Sequence, residues 1–200
     1  MRPLRHRPAL AVLRVNGSNE QLLTEDRVVA DRKYNVLFLC TGNSARSVMA
    51  ECAINRWGKG KFKGYSAGSH PKGSIHPLTL ELLNELNYET CHLRSKSWDE
   101  FARPNSPRFD FIFTVCDQTA AEQCPVWPGQ PITTHWGVAD PAAFEGTAEE
   151  MRRFFSRVYR ELERRIKIFT NLRIDALDSF ALRQRVEEIG RTTLPDKWER

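Results

Sequence analysis

The sequence predicts an α/β fold, a single-domain three-layer sandwich with a small central parallel sheet. Short apolar runs alternate along the chain with segments of helical periodicity, which is the pattern of a parallel sheet flanked by helices. The run at residues 34–39, YNVLFL, is almost continuously apolar, as expected of a strand that is buried on both faces. The chain of 200 residues is long enough for one such domain.

The individual elements follow from local patterns. Strands are predicted at residues 34–39, 62–67, 109–115 and 132–136, and helices at 48–57, from Pro77 onward, after Thr147 and at 178–189. Pro77 suits the first turn of a helix, and Thr147 with Glu150 has the spacing of a capping box. The helix after Thr147 carries an apolar stripe at helical spacing, which predicts core packing. Gly190 is expected to end the last helix.

The domain is predicted to span residues 34–190, with an extension at 1–33 and a polar tail at 191–200. Arg2, Arg5, Arg7 and Arg14 make the start of the chain basic, as in a transit peptide. The segment is poor in Ser, however, and lacks the apolar core of a secretory signal. We therefore expect a disordered extension, or residues translated from an upstream start.

Composition narrows the classes of function. No apolar run approaches the roughly 20 residues that span a bilayer. The net charge of +5 could attract nucleic acid, but the Arg residues at 152–165 alternate with Glu, which predicts a solvated helix face. We expect no nucleic-acid or membrane partner, and a monomer. Five cysteines, an odd number, without a signal peptide indicate reduced thiols in the cytoplasm.

The segment between the first strand and the first helix predicts an oxyanion-binding loop. Cys40 and Arg46 are separated by five residues, and amides ahead of a helix can surround an anion while the helix dipole adds positive potential. A thiol there loses its proton easily, so Cys40 is predicted to be a thiolate near neutral pH. Arg46 offers a planar fork that matches two oxygens. The predicted substrate-binding residues are Thr41, Gly42, Asn43, Ser44, Ala45, Arg46 and Ser47.

A buried structural cysteine with an incidental arginine is the competing interpretation. Cys-x5-Arg alone is a weak pattern, but the preceding strand, the following helix and Ser47 favour the functional site. Gly42 is predicted to adopt a backbone angle that other residues resist. Asn43, Ser44 and Ser47 are predicted to hold the loop and to donate to the sulfur.

Four motifs give the chain a resemblance to a known family. CTGNSARS at 40–47 closely resembles the phosphate-binding loop of low-molecular-weight protein tyrosine phosphatases and of the arsenate reductases that share their fold. The resemblance continues through YSAGSHP at 65–71, FTVCDQTAAEQCP at 113–125 and HWGVADP at 135–141, and covers roughly residues 34–190. It implies a thiol nucleophile at Cys40 and a general acid at Asp140.

Cys116 and Cys124 separate the two activities that the resemblance implies. A reductase needs two electrons to convert As(V) to As(III), which thiols provide, whereas a phosphatase has no use for the pair. The implied relay passes the oxidation from Cys40 to Cys116 and then to Cys124, for an external thioredoxin or for glutathione with glutaredoxin. Reduction of arsenate, with phosphate or sulfate as competing oxyanions, is the predicted function. A tyrosine phosphatase and a non-catalytic oxyanion or redox sensor remain alternatives.

No bound cofactor and no metal site are predicted. Some related reductases hold a potassium ion, and Asn43, Glu51 and Ser66 match three of its ligands. The last segment of that site reads Arg94-Ser95-Lys96 here, so the Lys96 ammonium is predicted to take the place of the cation. Cys52 is predicted to be a small buried core residue.

Overall fold

A parallel sheet of four strands carries the site. The computed structural model describes residues 32–122 and 124–193. The strands are β1 (Tyr34–Cys40), β2 (Phe62–Gly68), β3 (Phe111–Thr114) and β4 (Ile132–His135), in the spatial order β2-β1-β3-β4. All three pairings are parallel, so the four carboxyl ends lie at one edge of the sheet. The predicted α/β fold with a small parallel sheet is confirmed.

The described part of the chain contains five α-helices. They are α1 (Arg46–Trp57), α2 (Pro77–Glu85), α3 (Asp117–Ala121), α4 (Ala148–Thr170) and α5 (Ser179–Gly190). Short 3-10 turns occur at Trp98–Glu100, Pro141–Ala143 and Ile174–Ala176. Four of the five helices were predicted; α3, which lies between Cys116 and Cys124, was not.

Side chains at the helix starts explain where three helices begin. The His76 ring accepts a hydrogen bond from the Leu78 N–H, one residue after Pro77. Thr147 and Glu150 form the predicted capping box of α4, in which each side chain bonds the other residue's backbone N–H. Asp178 caps α5. The last helix ends at Gly190, as expected, and Arg191 occupies the cap position.

Alternation along β1 divides the core between the two faces of the sheet. Val36 and Phe38 face the larger cluster, to which α1, α4 and α5 contribute. Leu37 and Leu39 face a smaller cluster that contains Phe109, Ile112 and Trp127. Because β1 is covered on both faces, its residues read as a continuous apolar run in the sequence.

The predicted extension at 1–33 lies outside the described residues except for its last two positions, and most of the tail at 191–200 does so too. The compact unit that contains the sheet and the five helices begins at Lys33. In this part of the chain no helix combines the length and the apolar character that crossing a membrane requires.

Candidate active site

The oxyanion loop, residues 40–47, joins the end of β1 to the start of α1. Cys40 is the last residue of β1, and Arg46 is the first residue of α1. Because β1 lies between β2 and β3 in the sheet, the segments that follow these two strands flank the loop. The positive end of the α1 dipole therefore points at the sulfur of Cys40.

The carbonyl groups of the loop are bonded from outside it. Backbone N–H groups donate from Ser69 to Cys40 (3.3 Å), His70 to Thr41 (2.9 Å), Lys72 to Gly42 (3.0 Å) and His76 to Ser44 (3.0 Å). In a trans peptide the N–H points away from the C=O, so outward carbonyls turn the following amides inward. The Asn43 N–H accordingly donates to Cys40 Sγ over 3.2 Å. The loop thus has the inward amides that an anion site needs.

Polar side chains surround the Cys40 sulfur, which is buried. The Ser47 hydroxyl is 3.0 Å from Sγ, and the Asn43 side-chain amide donates to that hydroxyl over 2.9 Å. Asn43 and Ser47 are themselves buried. Ser44 is bonded through its backbone carbonyl, which accepts a hydrogen bond from the His76 N–H.

Burial raises the pKa of the Cys40 thiol above its ordinary value. Hydrogen bonding by Ser47 and the charge of Arg46 lower it, while the neighbouring Cys116 raises it. The net direction is opposite to the one predicted from the sequence, because the complete burial of the sulfur outweighs the polar groups around it.

Arg46 and Asp140 meet at the rim of the loop. The guanidinium donates to Asp140 Oδ2 over 2.8 Å, and the other carboxylate oxygen accepts from the Ala142 N–H over 3.1 Å. Asp140 therefore caps the 3-10 turn that follows it and is partly exposed. The structure thus brings the predicted acid to the predicted oxyanion loop.

A cavity of about 170 Å³ opens above the loop. It is lined by Cys40, Thr41, Gly42, Ser44, Ala45, Arg46, His70, Lys72, Gln118, Asp140 and Ala142. Gly42 was predicted to need an unusual backbone angle, and this was wrong: Asn43 has the positive φ, of 41°. Gly42 instead permits a close approach, since a Cβ there would lie 3.2 Å from Lys72 Cγ.

Cys116 lies beside the loop, two residues after the end of β3. Its sulfur is 3.5 Å from the Thr41 hydroxyl and 3.1 Å from the Thr119 hydroxyl. Burial raises the pKa of the Cys116 thiol, but hydrogen bonding to Thr119 and Thr41 lowers it more, so that it lies below its ordinary value. The structure therefore places a second thiol, with a lowered pKa, beside the oxyanion loop.

Cys124 contacts a different apolar cluster from Cys40 and Cys116. Cys116 belongs to the larger apolar cluster, whereas Cys124 packs against the smaller one, with α3 between them in the chain. All the cysteines of the described residues are free thiols. Burial, together with Glu122, raises the pKa of the Cys124 thiol.

Lys96 occupies a buried polar cluster behind the loop. Its ammonium is 3.4 Å from both Glu51 Oε2 and Ser66 Oγ, and its backbone N–H donates to Asn43 Oδ1 over 2.8 Å. Asn43 also donates to Ser66 Oγ over 2.9 Å. These are the residues that the sequence matched to a cation site. Among the described residues, no group of three or more His, Cys, Asp or Glu is arranged to hold a metal ion.

Arg165 was missed by the sequence analysis. It was assigned with its neighbours to a solvated helix face, but its side chain is only 3% exposed. Its guanidinium donates to the carbonyls of Trp136 (2.9 Å) and Gly137 (3.0 Å), and to Glu161 (2.6 Å). Arg165 thus fixes the backbone that leads to Asp140. Its spacing from Leu162 and Phe169, three and four positions, places it on the apolar stripe of α4 and could have revealed it.

Lys72, His70, Gln118 and Ala142 also line the cavity without having been predicted. Lys72 follows the motif at 65–71 by one residue, but no periodicity indicates where a loop side chain points. Their place in the site became visible only with the path of the loops after β2, β3 and β4.

The fold, the loop and its acid define the class of protein. The chain belongs to the low molecular weight phosphotyrosine protein phosphatase family, whose model matches residues 35–179. The resemblance carried by the four sequence motifs is thereby confirmed.

Within this class the chain is similar to arsenate reductases. It is 37% identical over 134 residues to the arsenate reductase of Bacillus subtilis (strain 168), which covers 67% of this chain and 93% of the relative. The crystal structure of an arsenate reductase from Archaeoglobus fulgidus is 33% identical, with a TM-score of 0.53, and covers 68% of this chain and 99% of the other. An arsenate reductase in a phosphate-binding state is 26% identical, with a TM-score of 0.52, and covers 66% and 96%.

Proposed function

We propose that the protein reduces arsenate to arsenite, with Cys40 as nucleophile and with Cys116 and Cys124 as a disulfide relay. The observation that carries this proposal is the second thiol beside the oxyanion loop. Cys116 is hydrogen-bonded to Thr41 of the loop, and its pKa is lowered there. Ester hydrolysis has no role for such a thiol, whereas a two-electron reduction needs one.

The first step joins arsenic to Cys40. Arsenate binds to the inward amides of the loop and to Arg46, and the Cys40 thiolate attacks arsenic. An As–O bond breaks, and the oxygen leaves as water after accepting a proton from Asp140. The Asn43 N–H, the Ser47 hydroxyl and Arg46 stabilise the thiolate against the cost of burial.

The second step is the reduction. The Cys116 thiolate attacks Cys40 Sγ, a disulfide forms, and the electron pair of the S–As bond stays on arsenic, which leaves as arsenite. Two sulfurs are oxidised by one electron each, and As(V) becomes As(III). Cys124 then attacks Cys116, which frees Cys40 and leaves a Cys116–Cys124 disulfide for an external thiol. Since Cys124 packs against the other cluster, this last exchange includes a rearrangement of α3.

The external reductant is thioredoxin or glutathione with glutaredoxin. Both are thiols of a reducing compartment, which fits the cytoplasmic location expected from the sequence. A small thiol could also replace one of the internal attacks, since a groove lined by Cys116, Asp117 and Gly137 leads to the second sulfur.

A phosphatase is the second candidate. Cys40, Arg46 and Asp140 together suffice for hydrolysis of a phosphate ester, and the Arg46–Asp140 contact of 2.8 Å at the cavity supports Asp140 as the acid. In that mechanism Cys116 is a spectator.

Arsenite production under turnover separates the two functions. Wild-type protein, Cys116→Ser and the matched control Cys91→Ser are supplied with arsenate and either the thioredoxin or the glutaredoxin system, and hydrolysis of p-nitrophenyl phosphate is measured in parallel. Cys91 is exposed and outside the cavity, so its substitution controls for the loss of a thiol.

Sustained arsenite production in wild type and Cys91→Ser, lost in Cys116→Ser, supports the relay. Absence of turnover with both reductants, beside phosphatase activity that is indifferent to Cys116, would overturn it and favour the phosphatase.

A further inference from the structure

The segment after β2 forms one wall of the cavity. Residues 69–72 run beside the oxyanion loop, and their N–H groups donate to the carbonyls of Cys40, Thr41 and Gly42. These three consecutive bonds fix the segment against the loop. Side chains at His70 and Lys72 are thereby brought to the cavity.

The Lys72 side chain packs against Gly42 at this wall of the cavity. A Cβ at Gly42 would meet Lys72 Cγ, Cε and Cδ at 3.2 to 3.4 Å, so the aliphatic stem of the lysine lies along the glycine. A lysine stem that packs on apolar surface keeps its ammonium at the solvent boundary. Here that boundary is the mouth of the cavity that contains Cys40.

Lys72 also differs from Arg46 in its pairing. Arg46 is engaged by Asp140 at 2.8 Å. Among the described residues, no carboxylate lies within ion-pair distance of Lys72. Its charge is felt nearby, since burial and Lys72 together lower the pKa of His76. Within the described part of the chain, Lys72 is therefore a cation at the cavity without a carboxylate partner.

We propose that the Lys72 ammonium contacts the outer oxygens of the oxyanion held in the loop and contributes to substrate binding as a second cation beside Arg46. This inference rests on the proposed function in taking the ligand to be a tetrahedral oxyanion. Loop amides and Arg46 surround the oxygens that face Cys40. Lys72 adds a point charge at the same cavity, which tolerates several orientations of the ligand.

The role is binding rather than chemistry. Lys72 is exposed, so its attraction for an anion is screened by salt. An ammonium at the rim holds the bound substrate and the transition state equally, which changes KM and leaves kcat nearly unchanged. This is a signature that a structural role would not produce.

The test uses Lys72→Met, which keeps the stem on Gly42 and removes the charge, with Lys72→Arg as the charge-conserving variant. Lys59→Met is the matched control, because Lys59 is exposed and outside the cavity. Protection of Cys40 by inorganic phosphate against iodoacetamide, a neutral reagent, is followed by peptide mass spectrometry at low and at high ionic strength. KM and kcat for arsenate are measured with the same proteins.

Lys72→Met is expected to weaken phosphate protection and to raise KM for arsenate about fivefold at low ionic strength, with a smaller difference at high ionic strength. Lys72→Arg and Lys59→Met should stay within about twofold of wild type. Equal protection constants for Lys72→Met and Lys59→Met, or a loss that salt does not reduce, would overturn the inference. If phosphate protects the wild type but arsenate is not reduced, the proposed function fails and the binding role of Lys72 is still tested.

Discussion

The hydroxyl of Thr41 lies 3.5 Å from the sulfur of Cys116, although the two residues are 75 positions apart in the sequence. The contact follows from the sheet: β1 and β3 pair in parallel with Leu39 opposite Thr114, so the residues two positions further on also become neighbours. Thr119 completes the contact, since its hydroxyl is 3.2 Å from that of Thr41. The thiol that would reduce arsenic is thus activated by the loop that would bind it.

Removing the Thr119 hydroxyl tests this activation. Hydrogen bonding to Thr119 and Thr41 holds the pKa of Cys116 below its ordinary value, so Thr119→Val should raise that pKa and reduce the thiolate fraction at neutral pH. The rate of the disulfide-forming step should fall about tenfold near pH 7, because a hydrogen bond to a charged group contributes about 1.5 to 3 kcal/mol. The rate should recover as the pH rises. This rate is measured as single-turnover arsenite release at a series of pH values. A decrease in rate that is the same at every pH would contradict the explanation.

Ser47 offers a separate test at the nucleophile. Its hydroxyl, 3.0 Å from Cys40 Sγ, lowers a pKa that burial raises. Ser47→Ala should therefore raise the pKa of Cys40 further and slow its alkylation by iodoacetamide about tenfold at neutral pH. The difference in alkylation rate should disappear at high pH, where Cys40 is ionised in the wild type and in the variant. Cys52, whose pKa is raised to about 12, should remain unlabelled in both proteins and serves as the internal control.

The buried Arg165 is expected to stabilise the fold and the acid loop together. Arg165→Met leaves the carbonyls of Trp136 and Gly137 and the Glu161 carboxylate without their donor, and should lower the free energy of unfolding by about 3 kcal/mol. Activity should fall as well, because the backbone leading to Asp140 loses its support. Arg164→Met is the matched control, since Arg164 is exposed; it should change stability by no more than about 0.5 kcal/mol. Urea denaturation measures the free energy of unfolding of each variant. Equal free energies for the two variants would show that the buried contacts of Arg165 do not stabilise the fold.

The position of the Lys96 ammonium in its polar cluster indicates that the protein is active without potassium. The wild type should have the same activity in potassium and in sodium within about twofold, because the ammonium already lies 3.4 Å from Glu51 and from Ser66. Lys96→Ala leaves the Glu51 carboxylate without its cation, so activity should drop and should be partly restored by potassium but less by sodium. Strong stimulation of the wild type by potassium would show that Lys96 does not replace the ion.

Much of the fold could be predicted because each pattern was local. The apolar run at 34–39 and the capping residues Thr147 and Glu150 each carry their own signal, and the structure confirms β1 and the capping box. The loop at 40–47 was recognisable because the strand before it and the helix after it are both strong patterns. The five residues of α3 are too few to show a helical period, so this helix between the two relay cysteines was missed.

The rest depended on contacts between distant segments. The upward direction of the Cys40 pKa follows from how completely α1 and the neighbouring strands bury the sulfur, and no local pattern gives that. Lys72 reaches the cavity through three backbone bonds between the segment after β2 and the loop. That Cys116 and Cys124 contact different apolar clusters likewise depends on contacts between distant segments.

The central claim is that Cys40 and Cys116 together supply the two electrons. The most direct measurement is a single turnover of the reduced protein with excess arsenate and no external reductant, with arsenite counted and disulfides mapped by mass spectrometry. The proposed relay should release about one arsenite per chain for wild type and for Cys124→Ser, with a Cys40–Cys116 disulfide trapped in the latter, and none for Cys116→Ser. Arsenite released by Cys116→Ser in the same amount, or a Cys124→Ser protein without the Cys40–Cys116 disulfide, would contradict it.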